Sequence, residues 1–349
     1  MTLISQMKKE IFEQPNALEE TFNSILEKSI PIRELWKSTD CKRVITLARG
    51  SSANAANFSQ YIFAELANIQ AQPQSIEIAI DFESKLDLRN TLAIAVSQSG
   101  ETRETIAALR WAKQNGAATL AISNNPNSTL EQIADLAIST LAGKEIAVPA
   151  TKSYSTALLA ITLIAAILGE NNKALEELKT LPKLAQKVIE KTELTAAVEK
   201  LKNAKTMISC GNGFTENIAL EVALKFRETC YVDAIGITVA ELQHGTKALF
   251  EEDENLLIFT NGQSHRSNRE LEVIAKRAFG AGVVPIIFGD FPQTDPYTYI
   301  YSESTWSELS HVFITLIQAQ LLVEALATQS GLNPDAPRHL SKITQLESE

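Results

Sequence analysis

Cysteine, histidine and positive charge are all scarce in this 349-residue chain, and each shortage argues against a class of function. The three cysteines, Cys41, Cys210 and Cys230, form no CxxC pair or Cys/His cluster, so neither a zinc site nor a disulfide framework is indicated. Reduced thiols fit a cytoplasmic protein. The net charge of −10 argues against nucleic acid or an anionic membrane as the main partner. We expect no metal and no cofactor.

Long apolar runs are also missing. The longest uncharged stretch, residues 153–169, is short for a membrane span and contains several hydroxyl side chains, so it indicates a buried helix. Residues 1–14 carry charges and lack the apolar core of a signal peptide. With 45% hydrophobic residues, the chain can form well-packed cores, and its length suggests two domains.

Strand-like runs alternate with helical ones in both halves of the chain, which predicts an α/β fold with parallel sheets flanked by helices. The predicted strands lie at 44–47, 76–80, 91–96, 120–123 and 136–139, and then at 207–210, 256–259, 283–288 and 297–301. A charged helical stretch, 171–205, separates the two sets. The turns at 49–52 and 210–213 are offset by 161 positions, which indicates two tandem doubly wound domains.

This pattern predicts five segments along the chain. They are an N-terminal helical segment at 1–34, a first domain at 35–170, a helical connector at 171–200, a second domain at 201–330 and a C-terminal tail at 331–349.

The segment Ser97-Gln98-Ser99-Gly100-Glu101-Thr102 lies between a predicted strand and a predicted helix. Backbone N–H groups and the positive end of a helix dipole can hold an anion there. A second hydroxyl pair, Ser51 and Ser52, follows the first strand, and the two turns converge if the first and third strands are neighbours. The alternative is two ordinary helix caps. The second half has Thr260-Asn261-Gly262-Gln263-Ser264 instead, so we expect one phosphate site, in the first half.

Three further segments carry groups suited to acid–base chemistry. Lys225 and Glu228 share a helix face, although such pairs are commonly weak surface contacts, and Glu221 is an equal competitor by pattern. His244 precedes a glycine at a predicted helix end and could move protons near neutral pH. Lys342, in the tail, is functional only if the tail is docked.

Taken together and in order, these motifs resemble the SIS (sugar isomerase) domain family, notably the isomerase half of glucosamine-6-phosphate synthases. The resemblance covers nearly the whole chain. It rests on the segments 9–15, 97–102, 145–152, 218–228, 241–245 and 337–342. It implies a SIS fold, with flavodoxin-like domains, and a tail that closes the active site.

The resemblance also implies roles for individual residues. Glu228 would move a proton between C1 and C2, His244 of a neighbouring subunit would assist ring opening, and Lys342 would lie at the substrate carbonyl. Phosphate and sugar would be bound by Ser51, Ser52, Ser97, Gln98, Ser99, Thr102, Val148, Lys225 and Ser341.

The sequence departs from the family at several points. It has no glutaminase segment with a terminal cysteine, Pro149-Ala150 replaces Ala-Ser, and Arg49 replaces a cysteine. The expected function is a stand-alone glucosamine-6-phosphate deaminase (isomerising) that acts as a homodimer with shared active sites. The alternatives are another phosphosugar aldose–ketose isomerase, a deglycase for amine-linked sugar phosphates, and a sugar-phosphate sensor without turnover.

Overall fold

The computed structural model describes residues 4–251, 253–262, 268–289, 296–303 and 306–342. They divide into two compact units, each built from separate stretches of the chain. The N-sheet unit contains residues 13–145, 152–182 and 341–342, and the C-sheet unit contains residues 4–12, 146–151 and the described part of 183–340.

In the part of the chain that the structure describes, ten strands form two five-stranded parallel sheets. The strands are β1 Arg43–Ala48, β2 Gln70–Pro73, β3 Thr91–Ser97, β4 Ala118–Ser123, β5 Leu136–Ser139, β6 Thr206–Gly211, β7 Asp233–Thr238, β8 Leu256–Phe259, β9 Ile286–Phe288 and β10 Thr298–Ile300. The N-sheet has the order β2-β1-β3-β4-β5 and the C-sheet the order β10-β9-β8-β6-β7. Counted from the first strand of each set, both follow the flavodoxin-like order 2-1-3-4-5.

Fifteen α-helices surround these sheets in the described residues. They are α1 Gln6–Phe12, α2 Gln14–Glu27, α3 Ser29–Ser38, α4 Gly50–Ala67, α5 Glu77–Ile80, α6 Arg103–Gln114, α7 Thr129–Ile133, α8 Lys152–Leu168, α9 Asn172–Leu178, α10 Leu181–Lys191, α11 Thr195–Leu201, α12 Glu216–Lys225, α13 Val239–His244, α14 Asn268–Gly280 and α15 Glu308–Gln329. A π turn, Phe226–Cys230, follows α12 directly.

Each unit buries one long helix that is largely apolar. In the N-sheet unit α8 packs against α2, α3 and α4, and in the C-sheet unit α15 packs against α1, α11 and α12. By length and composition α15 could cross a membrane, but 94% of its most apolar window is buried inside the protein, as in a core helix.

Most predicted elements are confirmed to within a few residues, but the strand predicted at 76–80 is wrong. Residues Glu77–Ile80 form the short helix α5, and the strand beside β1 is Gln70–Pro73. The apolar residues Ile76 and Ala79 are spaced three apart and buried, as one face of a helical turn requires. Strand β2 is polar and ends in proline, which is tolerated because β2 lies at the edge of the sheet. Strand β7 was missed altogether.

Candidate active site

The turn with the Ser97 hydroxyl cluster lies beside the end of β1, as the sequence predicted. Ala48 of β1 pairs in register with Val96 of β3, so the chain leaves both strands at the same edge of the N-sheet. The residues preceding α4 and α6, Arg49 and Thr102, make no side-chain cap to the first-turn amides in the described structure. Two helix N-termini at this edge can therefore direct N–H groups at an anion.

Hydrogen bonds within the turn fix its hydroxyl groups. The Ser97 and Thr102 hydroxyl oxygens lie 3.0 Å apart, and the Ser97 Oγ accepts from the Gly100 N–H at 3.2 Å. The Ser99 Oγ accepts from the Glu101 N–H at 3.1 Å. Gly100 has a φ of +67°, which an L side chain rarely adopts. The turn is thus preorganised, and the hydroxyls keep hydrogen-bonding capacity for a ligand.

A cavity of about 340 Å³ opens over this turn, within the range of small-ligand sites. Its charged lining groups are Arg49, Glu104 and Lys342. The other lining residues are Gly50, Ser52, Val96, Ser97, Gln98, Ser99, Thr102 and Thr105. Five predicted phosphate ligands are therefore brought together with the tail lysine, whereas Ser51 is not among the lining residues described.

The tail lysine is docked in the N-sheet unit. Its ammonium donates to the Glu145 carboxylate at 2.6 Å. Glu145 is buried and also accepts from the Ser153 hydroxyl and N–H, at 2.5 and 3.0 Å, at the start of α8. Burial alone would raise the pKa of Glu145, but Lys342 and the Ser153 bonds outweigh it and hold the pKa below its ordinary value. Glu145 thus anchors Lys342 at the cavity.

Thr105 is a lining residue that the sequence did not single out. Its side chain is 1% exposed, and its hydroxyl has no hydrogen-bond partner among the described residues. A buried hydroxyl without a partner is unfavourable unless a ligand or water completes it. Only its position one turn into α6, three residues after Thr102, could have indicated this role.

Arg49 reaches the cavity while paired to Glu77. The guanidinium lies 2.6 Å from the Glu77 carboxylate, and both side chains are roughly two-fifths exposed. Hydrogen bonds from Ser75 and Arg49 lower the pKa of Glu77 to about 2. The arginine that replaces the family's cysteine at position 49 therefore adds a cation to the cavity lining, and its partner Glu77 lies outside that lining.

In the C-sheet unit, the candidate base Glu228 lies on the π turn and pairs with Lys225. The Lys225 ammonium is 2.5 Å from the Glu228 carboxylate and 3.4 Å from that of Glu221. Lys225 and Glu221 are buried, whereas the Glu228 side chain is 21% exposed. Burial would lower the pKa of Lys225, but the two carboxylates outweigh it and raise the pKa. The pair is thus a partly buried network and not a surface contact.

Glu228 faces a second cavity, of about 440 Å³, in the C-sheet unit. The lining residues are Arg227, Glu228, Tyr231, Val232, Asp233, Arg338, His339 and Leu340. The Arg338 guanidinium lies 4.1 Å from the centre of the Tyr231 ring, and the Arg338 N–H donates to the Tyr231 hydroxyl at 3.0 Å. The tail is therefore fixed beside the π turn that carries Glu228.

His244 ends α13, which the Thr238 side chain caps through the Glu241 N–H at 3.2 Å. The His244 side chain is exposed, and the described lining of neither cavity includes it. Within a single chain, the structure therefore does not bring His244 into either cavity.

Val148 belongs to the C-sheet unit, where a backbone carbonyl and a carboxylate hold its loop. Its N–H donates to the Asp335 carbonyl at 2.9 Å, and the buried Glu10 carboxylate accepts from the Ile146 N–H at 2.5 Å. Neither Val148 nor the exposed Ser341 is among the described lining residues of the two cavities.

Comparison with known proteins assigns the chain to a family. Residues 38–167 match the model of the SIS domain. This chain is a SIS-domain protein. It is 31% identical over 363 residues to glutamine–fructose-6-phosphate aminotransferase (isomerizing) of Thermococcus kodakarensis, across 98% of this chain and 58% of the relative. The chain thus spans about 58% of the length of that relative.

Solved structures show the same SIS architecture. The C-terminal domain of glucosamine-fructose-6-phosphate aminotransferase from Francisella tularensis superposes with a TM-score of 0.86 at 26% identity, covering 96% of this chain and 99% of that chain. Glucosamine-6-phosphate deaminase from Thermotoga maritima gives a TM-score of 0.76 at 23% identity, covering 98% and 100%. The second likeness extends to the fold alone.

The C-sheet position equivalent to the Ser97 turn is closed by its own polar groups. The Asn261 amide donates to the Asn212 carbonyl at 2.6 Å, and the Asn261 N–H donates to the Asn268 side chain at 2.9 Å. Thr260 and Asn261 are buried. Gln263 and Ser264 lie outside the described residues. The described part of this C-sheet edge therefore bonds internally, whereas the N-sheet presents its hydroxyls to a cavity.

Among the described residues, neither the cysteines nor clusters of metal-binding side chains form a further candidate site. Burial raises the pKa of the Cys210 and Cys230 thiols to about 12, which makes both poor nucleophiles. Within the described residues, no group of three or more His, Cys, Asp or Glu could hold a metal ion.

Proposed function

We propose that this SIS-domain protein is an amino-sugar phosphate isomerase and deaminase that converts glucosamine 6-phosphate and water to fructose 6-phosphate and ammonia. The observation that carries the proposal is the N-sheet cavity, where two helix N-termini, a hydroxyl turn and a docked lysine converge. The resemblance to aminotransferases named for fructose 6-phosphate supports the same substrate class.

The phosphate would be bound at the Ser97 turn. Ser52, Ser97, Ser99 and Thr102 supply hydroxyl donors, and Gln98 completes the lining. Neutral donors and helix dipoles hold a dianion without neutralising it by metal. Lys342, held by Glu145, would lie at the sugar carbonyl and stabilise negative charge there, or form a Schiff base.

Glu228 would transfer the proton between C2 and C1. In the open-chain sugar, its carboxylate takes the C2 proton, and an enaminol forms as the C1 carbonyl becomes a hydroxyl. Return of the proton to C1 leaves an imine at C2, which water hydrolyses to ketone and ammonia. The Lys225 ammonium lies 2.5 Å from this carboxylate, so the ion pair holds Glu228 in a fixed position on the π turn.

The test is ammonia release from glucosamine 6-phosphate by the protein and by Glu228→Gln. We expect turnover to fall by about 10²-fold or more, the scale of general-base catalysis, while the phosphosugar still raises Tm. The surface pair Lys276–Glu272, 2.6 Å apart, supplies the matched control, because Glu272→Gln removes a carboxylate of the same kind away from the cavity lining. Wild-type turnover in Glu228→Gln would remove the assignment.

Phosphate recognition is tested separately. Glucosamine 6-phosphate should raise Tm and glucosamine should not, and Ser97→Ala should reduce this difference. Equal stabilisation by both sugars would refute the phosphate site.

A plain phosphosugar aldose–ketose isomerase is the second candidate, because Lys225 and Glu228 would serve C2-to-C1 proton transfer whether or not C2 carries an amine. Conversion of glucose 6-phosphate or another neutral hexose phosphate without ammonia release would favour it.

We further propose a cytoplasmic homodimer in which His244 reaches the partner's site. The support is the exposure of His244 at the end of α13 and of the apolar Leu249 in the 3₁₀ turn that follows.

A further inference from the structure

His339 is in a strained backbone conformation in the cavity that contains Glu228. Its φ is +61°, in the left-handed region that non-glycine residues seldom adopt, with Asn, Asp and His the exceptions found there most often. Such outliers persist only where the surrounding structure holds them, and they cluster at functional positions. Here the preceding residue, Arg338, is fixed by its stacking on Tyr231 and by its N–H bond to the tyrosine hydroxyl.

His339 differs chemically from the other ionisable residues that line this cavity. Arg227 and Arg338 carry permanent charge, and Arg227 donates to the Ala234 carbonyl. Glu228 and Asp233 contribute carboxylates to the same lining, and Tyr231 a phenol. Among the described lining residues, the imidazole is the one group of a type that ordinarily gains and loses a proton near neutral pH. It is exposed, so water has access to it.

We propose that His339 is the acid–base group for hydrolysis of the C2 imine, an assignment that rests on the proposed deaminase function. Neutral His339 takes a proton from water as the water oxygen bonds to C2 of the protonated imine, and the C=N π electrons move to nitrogen. The imidazolium then returns that proton to the amine of the carbinolamine. The C–N bond breaks with its electron pair going to nitrogen, and the hydroxyl proton passes to the departing ammonia, leaving the C2 ketone and ammonium.

This division of labour separates two measurable steps. Glu228 is required for exchange of the C2 proton with solvent, which precedes hydrolysis. His339 is required only after the imine has formed. Loss of His339 should therefore slow ammonia release far more than C2 exchange, whereas loss of Glu228 should stop both.

The test is His339→Asn, because asparagine tolerates the left-handed conformation best among non-glycine residues. With glucosamine 6-phosphate in deuterated water, we expect ammonia release to fall by about 10²-fold while C2 deuterium incorporation falls far less. Tm should stay close to the wild-type value, because asparagine adopts the same backbone conformation readily, and a merely structural role for His339 would not produce that combination.

Three results would overturn the assignment. Ammonia release that is unchanged in His339→Asn, or that falls in step with C2 exchange, would remove His339 alone, provided that the wild-type protein releases ammonia. A wild-type protein that neither releases ammonia nor exchanges the C2 proton would remove the deaminase function, and this assignment with it.

Discussion

Gly100→Ala should destabilise the N-sheet unit far more than Gly50→Ala, although both glycines have positive φ. The φ values are +67° and +56°, so each substitution introduces left-handed strain of about 1 kcal/mol, or roughly 2–4 °C in Tm. The surroundings differ. A Cβ at Gly50 would meet nothing within 4 Å, whereas one at Gly100 would lie 2.0 Å from the Ser128 Oγ and 2.3 Å from its Cβ.

The clash sets the size of the effect. Contacts so far inside van der Waals distance force the turn or Ser128 to move, and overpacking of this kind costs about 1–3 kcal/mol. Gly100→Ala should therefore cost about 2–4 kcal/mol in total, or roughly 5–15 °C in Tm. Since Gly100 donates to the Ser97 hydroxyl, movement of the turn should also weaken stabilisation by glucosamine 6-phosphate.

A double-mutant cycle isolates the contact. Ser128→Gly removes both clashing atoms, and the next neighbour of the new methyl, the Ser123 Cβ, is at an ordinary 3.5 Å. The double variant Gly100→Ala/Ser128→Gly should recover about 1–3 kcal/mol relative to the sum of the single changes, measured by thermal and urea unfolding. Equal Tm shifts for Gly50→Ala and Gly100→Ala, or no recovery in the double variant, would refute the reasoning.

Three further predictions concern charge, protonation and assembly. Arg49→Cys should weaken binding of glucosamine 6-phosphate by roughly fivefold, or about 1 kcal/mol. The control Arg103→Cys, at a residue outside the cavity lining, should leave the affinity unchanged, and equal affinities of the two variants in ligand titrations would contradict the prediction. Burial lowers the pKa of His311 to about 4, so the folded state binds fewer protons than the unfolded state between about pH 6.5 and 4. The free energy of unfolding should therefore fall by about 3 kcal/mol on acidification through that window. His311→Gln should flatten this part of the pH profile measured by urea unfolding, and an unchanged profile would refute the prediction. Mixing Glu228→Gln with His244→Ala should restore about a quarter of wild-type activity if dimers exchange subunits and share sites, and no recovery after verified exchange would exclude sharing.

Apolar runs and the turn residues between them predict most of this fold, because a parallel strand that is buried on both faces is an uninterrupted run of apolar residues. β3 and β4 are buried at every position and were found. The edge strands β2 and β7 are exposed at several positions and were not, because polar residues, proline or glycine interrupt them, whereas the more apolar edge strands β5 and β10 were found. The tandem origin of the two sheets stays a prediction, although their strand orders agree.

The sequence predicts those residues of the candidate site that come directly after the end of a strand. The Ser97 turn and its neighbour at β1 follow from that rule. The Glu145–Lys342 bond does not, because it joins residues 197 positions apart through a buried carboxylate that sequence periodicity cannot assign. The π turn at Glu228 was likewise invisible, because helix and π turn have the same local composition.

The two sheets together show what decides whether such a strand end binds an anion. Strand order alone gives both units the same edge, yet in the C-sheet unit Asn261 donates to both Asn212 and Asn268, whereas the helix-start amides at the N-sheet turn lack side-chain caps. An anion at the C-sheet edge would have to break buried hydrogen bonds, each costing on the order of 1–3 kcal/mol when left unmade. The topology thus determines where a site can form, and we propose that unsatisfied donors determine which of the two edges binds an anion.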